Sequence, residues 1–290
     1  MPAVSTLERL WIGYCACAIA AALVAWPDAA SHGAMFRPVS FCVLHLVFAA
    51  LQWLPVRLEA MRKPGAARFW RSAIALVGVP SVFSALCMAL PHAHPEAWEV
   101  AWLAFDHLAF GFDPTAAMRL AQPEPVLALL QAVYASFYAL PICACLLVLR
   151  QRGAVAFDRA VTVVVGGFLV SYLGYLWFPT LGPKDVAPLP VPPGGEWLGG
   201  LHALLHEAEA NHWDCFPSGH TMMSLVSAAV GSQNGCRGSR WLWAFAWAIV
   251  ASTLVLRYHW VADVLVGGAL AASWLPMSRR LLESDASPGG

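Results

Sequence analysis

Residues 160–178 read AVTVVVGGFLVSYLGYLWF and contain no charged side chain. A helix of about 20 apolar residues matches the roughly 30 Å hydrocarbon core of a bilayer. In lipid every backbone N–H and C=O group must bond within the protein, and a helix satisfies them within one segment. The stretch therefore predicts a membrane-spanning helix, and it indicates the fold class to look for in the rest of the chain.

More apolar segments of this kind lie on both sides of that stretch. Together they predict an all-α, polytopic transmembrane helix bundle of about eight spans. We predict a single membrane domain over residues 1–290, because no change of composition marks a second unit. The further segments are 10–26, 39–56, 72–91, 125–149, 218–232, 241–256 and 259–276. Within the domain we expect N-terminal spans (10–91), an outer loop (92–124), a helix core formed by the last four to six spans (125–276) and a disordered tail (277–290).

The composition excludes other classes of protein. Apolar residues make up 59% of the chain and charged residues only 12%, about half the share that is usual in soluble domains. Lys and Arg number 17, as do Asp and Glu, and no basic block is present. A nucleic-acid partner is therefore not expected. The eight cysteines lie mostly within apolar runs and do not resemble a disulfide framework.

The basic residues predict the orientation of the chain in the membrane. With the N-terminus inside, 13 of the 17 Lys and Arg residues fall in cytoplasmic segments and 4 fall outside. This asymmetry is typical of a membrane protein with both termini in the cytoplasm. We therefore expect a multi-pass protein of the cell (inner) membrane, whose long outer loops are 92–124 and 179–217.

Both outer loops contain an amphipathic stretch. In the first loop the apolar face comprises Trp98, Trp102, Phe105, Ala109 and Phe112, and in the second it comprises Leu198, Leu201, Leu205 and Ala208. Helices of this kind lie in the membrane interface with the apolar side down. Two interpretations stay open at this point: a lip that admits a lipid substrate, or a loop that packs on the bundle.

Residues 216–220, Phe-Pro-Ser-Gly-His, form the first polar group near a span. Ser218 is a good N-cap residue, and the free N–H groups of a helix start favour an anion. Gly219 allows an oxyanion to approach the backbone, and His220 in the first turn can donate a proton to it. The alternative is an ordinary capped helix start with an interfacial histidine.

His259 and Asp263 form the second group, at the start of the last span. Four residues apart, they share one helix face. A carboxylate there holds the imidazole in one tautomer, which is what a nucleophilic histidine needs. The alternative is a structural pair that joins two helices.

Lys184 is the one lysine in the predicted outer segments, and it follows the span 160–178. It can neutralise a phosphate, or it can snorkel to the interface. The three groups all stand at outer helix ends, and together they suit phosphoryl transfer through a phosphohistidine. A metal site is the weaker interpretation, because His202 and His206 fit the polar face of an interfacial helix.

The residues Pro217-Ser218-Gly219-His220, followed by His259-x3-Asp263, resemble the type 2 phosphatidic acid phosphatase (PAP2) superfamily over roughly residues 160–276. That group includes lipid phosphatases, membrane phosphotransferases and vanadium haloperoxidases. The resemblance implies that His259 attacks phosphorus, Asp263 orients it and His220 protonates the leaving group. It also implies that Ser218 and Gly219 hold phosphate oxygens, and that no metal or other cofactor takes part.

Two motifs depart from the usual pattern of that superfamily. Ser252 and Thr253 stand where Ser-Arg is usual, so the nearest arginine to His259 is Arg257. Residues 178–184, Phe-Pro-Thr-Leu-Gly-Pro-Lys, replace the motif Lys-x6-Arg-Pro. Both variants, and residues 105–114, resemble the branch of inositol phosphorylceramide synthases and their bacterial relatives. Lys184 and Arg257 are then the candidate phosphate-binding cations.

The expected function is that of an integral membrane lipid phosphatase or phosphotransferase acting at the outer leaflet. Its partners would be membrane lipids and a phospholipid or other lipid phosphate, with no obligate protein partner. Water is the favoured acceptor, and transfer of a phosphoryl head group to a lipid alcohol is the alternative. An anionic lipid transporter is the alternative of another class, but the first five segments hold no charge between their ends.

Overall fold

The computed structural model of the chain describes residues 4–31, 36–90, 98–189 and 213–286. These residues form α-helices and no strand, as predicted. In chain order the helices are α1 (Thr6–Ser31), α2 (Phe36–Leu51), α3 (Trp53–Ala60), α4 (Pro64–Ala89), α5 (Trp98–Phe110), α6 (Pro114–Leu120), α7 (Glu124–Ala135), α8 (Leu140–Arg152), α9 (Ala154–Trp177), α10 (Pro183–Val186), α11 (Gly219–Gln233), α12 (Ser239–Val255) and α13 (Val261–Ala286).

All eight predicted segments are helical, but they do not all have the length of a span. Within the described residues five helical stretches are long and apolar enough to cross a membrane. The stretches Glu124–Tyr138 and Leu140–Arg152, which meet at a bend of 53°, make a sixth if they are counted as one span. Helices α11 and α12 have 15 and 17 residues. At about 1.5 Å per residue they are a few ångströms shorter than the hydrocarbon core.

Helix α11 is short because it lies inside the bundle. It packs against α8, α9, α12 and α13, and most of its residues are buried. Small residues on α9 allow close packing nearby: a side chain at Gly166 or Gly167 would collide with Trp274 of α13 or Met223 of α11. Such small-residue contacts are typical of helix packing in membranes. Of the N-terminal helices, α1 and α4 pack on α9, and α2 packs on α1 and α4.

The polar chemistry collects at one end of this bundle. Helix α9 ends there, α11 and α13 begin there, and the connection from α12 to α13 runs across it. A short parallel bridge between Thr180 and Asp214 joins the loop after α9 to the segment before α11. The three predicted polar groups therefore do lie at the same end.

The first amphipathic stretch forms α5, and its tryptophans pack on the bundle. Trp102 stacks on Phe216 at 4.2 Å between ring centroids, and Trp98 meets Phe178 edge-on at 5.1 Å. Glu99 and Asp106 are buried, whereas Leu108 is 88% exposed. The two carboxylates of α5 therefore face the protein, whereas Leu108 faces outward. The second stretch, 198–208, lies outside the described residues.

The predicted tail 277–290 is helical as far as it is described, because α13 continues to Ala286. Ser278 is buried, and Thr6 of α1 donates a hydrogen bond to the Leu281 carbonyl at 3.2 Å. The end of α13 is thus held by α1. The polar composition of residues 284–290 does not indicate this contact. Residues 287–290 lie outside the described residues.

Candidate active site

The start of α11 has the N-cap residue that the sequence predicts. The Ser218 hydroxyl accepts a hydrogen bond from the Thr221 N–H at 3.2 Å, so Ser218 is the N-cap. Its own N–H donates to the Asp263 carbonyl at 3.1 Å, which holds the loop against α13. Gly219 lies against the Tyr175 hydroxyl, and no side chain fits there. Ser218 and Gly219 are buried, and they lie at a helix start, the kind of position at which proteins bind phosphate oxygens.

His259 and Asp263 make the predicted contact on α13 and the turn before it. Nδ1 of His259 lies 3.1 Å from Oδ2 of Asp263, and both side chains are buried. With Nδ1–H donating to the carboxylate, the lone pair of Nε2 is free to accept. Nε2 lies 3.1 Å from Nδ1 of His220 on α11. Asp263, His259 and His220 therefore form a hydrogen-bonded chain.

Aromatic rings fix the position of His220. Tyr134 of α7 stacks on the imidazole at 4.7 Å, and Phe137 packs on it at 4.3 Å between ring centroids. Tyr134 also stacks on Tyr258, whose hydroxyl accepts a hydrogen bond from Gln131 at 2.8 Å. The His220 Nε2 atom is buried and makes no hydrogen bond to the described residues. A polar group left in this state is ready for a ligand.

Lys184 reaches the same place from the loop after α9. Its Nζ atom lies 3.8 Å from the centre of the Tyr258 ring, a cation–π contact. The loop is held by Glu99, which accepts a hydrogen bond from the Leu181 N–H at 2.9 Å, and by Trp260, whose indole N–H donates to the Leu181 carbonyl. Lys184, His220 and His259 line one cavity.

Arg257 is placed differently from the other predicted site residues. Its guanidinium pairs with the Asp113 carboxylate at 2.9 Å and bonds to Thr115 and the Ala187 carbonyl, and it does not line the cavity. Its backbone adopts a left-handed conformation with φ of 63°, which is uncommon for residues other than glycine. The turn that contains His259 is therefore attached to the start of α6 through the Arg257 side chain.

Two aspartates that precede the core in sequence support this turn. Asp106 of α5 accepts hydrogen bonds from the Val261 and Ala262 N–H groups, and so it caps α13 from a distant helix. Asp113 caps α6 by accepting from the Ala116 N–H. The sequence contained a signal for both in the motif of residues 105–114. That motif indicated a resemblance but not these roles.

Cys215 is a member of the site that the sequence did not indicate. Its thiol donates to Oδ2 of Asp263 at 2.7 Å, and its Sγ atom lies 3.6 Å from Nδ1 of His259. Cys215, His259 and Asp263 are the group within the described residues whose donor atoms are close enough to bind one metal ion. The neighbouring motif at residues 216–220 was the only signal in the sequence near Cys215.

Burial sets the ionisation of the groups around the turn. Burial, reinforced by the Asp263 carboxylate, raises the pKa of the Cys215 thiol well above its usual value, so the thiol is protonated and donates. Burial also raises the pKa of Asp106, against the effect of its two backbone hydrogen bonds. Burial opposes the charge of Asp113, but hydrogen bonds from Ala116 and Thr115, together with Arg257, lower the pKa of Asp113 overall.

A cavity of about 480 Å³ leads from the two histidines into the bundle. On α9 its lining runs from Tyr175 to Phe157, which is about 27 Å along the helix at 1.5 Å per residue. Leu76 of α4 and Ile142 and Leu146 of α8 line it and are about half exposed on the bundle surface. The cavity is therefore polar at one end, apolar along its length and open to the side.

Comparison with known proteins gives one finding. Residues 101–275, more than half of the chain, match the family model of the PAP2 superfamily. No curated protein and no solved structure gives a significant match. The matched region begins in α5 and ends in α13, so it contains Lys184, Cys215, His220, Arg257, His259 and Asp263.

Proposed function

Because the chain belongs to the PAP2 superfamily, we propose that it is a membrane lipid phosphatase that works through a phosphohistidine intermediate. The observation that carries the proposal is the chain of hydrogen bonds from Asp263 through His259 to His220, at the mouth of an apolar cavity. A structural His–Asp pair would need neither the second histidine nor the cavity.

His259 is the nucleophile in this proposal. Asp263 holds its Nδ1–H, so the Nε2 lone pair attacks phosphorus. A substrate phosphate would separate the two imidazoles, which are now in contact. As the N–P bond forms, the bond from phosphorus to the leaving oxygen breaks.

His220 is the general acid. As an imidazolium, His220 transfers its Nδ1 proton, now bonded to Nε2 of His259, to the leaving oxygen and becomes a neutral imidazole. In the second half of the reaction His220 accepts a proton from water. The resulting hydroxide attacks phosphorus, the N–P bond breaks and phosphate leaves.

The start of α11 and Lys184 would hold the phosphate oxygens. Backbone N–H groups around Gly219 and the positive end of the helix dipole stabilise the charge of the transition state. Lys184, which lines the cavity, supplies a cation on the other side. Arg257 was the other candidate cation, and its contacts favour a supporting role through Asp113.

The shape of the cavity supports a lipid substrate. A soluble phosphate ester needs only the polar end, whereas this cavity continues along α9 and opens between α4 and α8. A hydrocarbon chain can enter sideways from the bilayer while its phosphate stays at the histidines.

Transfer to an alcohol is the alternative reaction, in line with the resemblance to inositol phosphorylceramide synthases. Both reactions share the phosphohistidine, and they differ in whether water or an alcohol resolves it. Purified protein is assayed on lipid phosphates and phosphodiesters, with and without lipid alcohols, and free phosphate and new lipid are scored separately. We expect free phosphate, inhibition by vanadate as a mimic of five-coordinate phosphorus, and no inhibition by EDTA. Activity that is lost to EDTA and restored by Mg²⁺ or Zn²⁺ would contradict the proposal.

We also propose that the site faces the non-cytoplasmic side, since the basic residues favour cytoplasmic termini. Cys215 is buried and is a poor label for this test. Ala121, exposed at the site end, and Arg237, exposed at the opposite end, are better positions for a new cysteine. In right-side-out vesicles an impermeant thiol reagent should label Ala121→Cys and spare Arg237→Cys. The reverse pattern contradicts the orientation.

A further inference from the structure

The contact of Cys215 with His259 and Asp263 brings together three side chains of the types that bind metal ions. Oδ2 of Asp263 lies 2.7 Å from the Cys215 Sγ atom and 3.1 Å from Nδ1 of His259, and Sγ lies 3.6 Å from Nδ1. Three donor atoms of different kinds, from the loop before α11, the turn before α13 and α13 itself, thus form a small triangle. Thiolate, imidazole and carboxylate are the ligands that zinc takes in proteins.

The triangle is close to one face of a tetrahedral zinc site. With ligands about 2.0–2.3 Å from the ion, the atoms of such a face lie about 3.3–3.6 Å apart. The Sγ–Nδ1 distance already has this value, and the Nδ1–Oδ2 distance is slightly shorter. Only the Sγ–Oδ2 contact, now a hydrogen bond, has to open by less than 1 Å.

A metal ion can reach these three donor atoms, and the charges of their side chains balance its own charge. Cys215 and His259 both line the cavity, which provides an entry path. Oδ1 of Asp263 is buried and has no hydrogen-bond partner among the described residues. A thiolate and a carboxylate cancel the charge of a divalent ion, so the occupied site is neutral in a place where net charge is costly.

We propose that Cys215, His259 and Asp263 bind Zn²⁺ or a similar thiophilic divalent cation, and that this binding switches the active site off. The ion displaces the proton from the thiol, and one proton per ion is released to solvent. It also takes the Nδ1 lone pair of His259, so the imidazole proton moves to Nε2. Nε2 then has no lone pair for phosphorus. Binding stands on the geometry alone, whereas the loss of turnover rests on the proposed function.

The test uses purified full-length protein, first freed of metal with a chelator. Co²⁺ serves as a coloured substitute for Zn²⁺, because a cobalt–thiolate bond gives a charge-transfer band. We expect one equivalent of Co²⁺ to produce this band in the wild-type protein and Zn²⁺ to displace it. The band should vanish in Cys215→Ser. It should persist in Cys236→Ser, a matched control that changes a buried cysteine at the far end of α11.

Activity is measured on the same samples. Zn²⁺ should inhibit wild-type and Cys236→Ser alike and reversibly, and the inhibiting concentration should rise at least about tenfold in Cys215→Ser. If Cys215→Ser does not fold, Cys215→Ala takes its place, and the cobalt spectrum of the wild-type protein still tests whether the metal binds a thiolate. Absence of the thiolate band, or equal zinc sensitivity of the Cys215 variants and the wild type, overturns the proposal.

The two proposals fail in distinguishable ways. A thiolate band in a protein that cleaves no lipid phosphate supports metal binding and contradicts the proposed function. Zinc that activates the enzyme overturns the inhibitory role, and it also contradicts a reaction without metal.

Discussion

Two clusters of buried polar and charged side chains lie at opposite ends of the bundle. They differ in how many of their buried polar atoms have hydrogen-bond partners. At one end the Glu8 carboxylate is fully buried, and both its oxygens have partners, Arg71 at 3.3 Å and the Ser5 N–H at 2.7 Å. At the other end Oδ1 of Asp263 and Nε2 of His220 are buried without a partner among the described residues. A saturated cluster stabilises a fold, whereas an unsaturated one that meets a cavity indicates chemistry.

The largest effect is expected for His259→Ala. In the proposed mechanism His259 is the nucleophile, so its removal should lower kcat by at least about 10⁴-fold. Radiolabel from a phosphate-labelled substrate should no longer be trapped on the protein. His107→Ala, which removes an exposed imidazole of α5, is the matched control and should retain activity. Turnover within tenfold of the wild type would remove the central claim.

The second largest effect is expected for Asp263→Asn, which should lower kcat by about 10³–10⁴-fold. The amide N–H₂ group can donate to Nδ1 of His259, which favours the tautomer whose Nε2 is protonated. The protein should remain folded, as judged by circular dichroism and size-exclusion chromatography. If Asp263→Asn retains a kcat near that of the wild type, the pair of His259 and Asp263 has a structural role only, like the pair of Glu8 and Arg71.

Lys184→Met and Arg257→Met should separate a phosphate ligand from a supporting residue. We expect Lys184→Met to lower kcat/KM by about 10²–10³-fold with little change in Tm. Arg257→Met leaves the Asp113 carboxylate without its partner and should cost up to about 3 kcal/mol of stability. If the folded Arg257→Met protein loses as much kcat/KM as Lys184→Met without loss of stability, Arg257 binds phosphate directly.

The smallest effect on catalysis is expected for Glu8→Gln. The change breaks the ion pair with Arg71 and should lower the free energy of unfolding by about 1–3 kcal/mol. The kcat per folded molecule should not change, because the pair lies at the opposite end of the bundle from His220 and His259. Thermal unfolding and active-site titration measure the two quantities separately. A fall in kcat at unchanged stability would break the contrast between the two clusters.

The sequence predicted most of the helices and the central part of the site. Each apolar segment is helical, and the spacing of His259 and Asp263 puts them in contact, as four residues on one helix face should. Within the described residues five or six stretches have the length and composition of a span, and α11 is apolar although it is enclosed by protein. Hydropathy alone does not distinguish an enclosed helix from one that faces lipid.

The residues missed or misjudged share one property, which is that their partners lie far away in the chain. Cys215 meets Asp263 across 48 residues, and Asp113 meets Arg257 across 144. The tail beyond Met277 is helical because α1 holds it, across 275 residues in the contact of Thr6 with Leu281. Neither periodicity nor local motifs carry information about such pairs.

The sequence by itself determined the membrane class, the helical segments and the histidines, because the cost of polar groups in lipid and the geometry of one helix act locally along the chain. Only the tertiary structure decided that His220 lies against His259, that Arg257 faces Asp113 and not the cavity, and that Cys215 adds a third donor to the pair of His259 and Asp263. Those outcomes depend on which helix ends meet. Packing of side chains between helices sets that choice over the whole bundle at once.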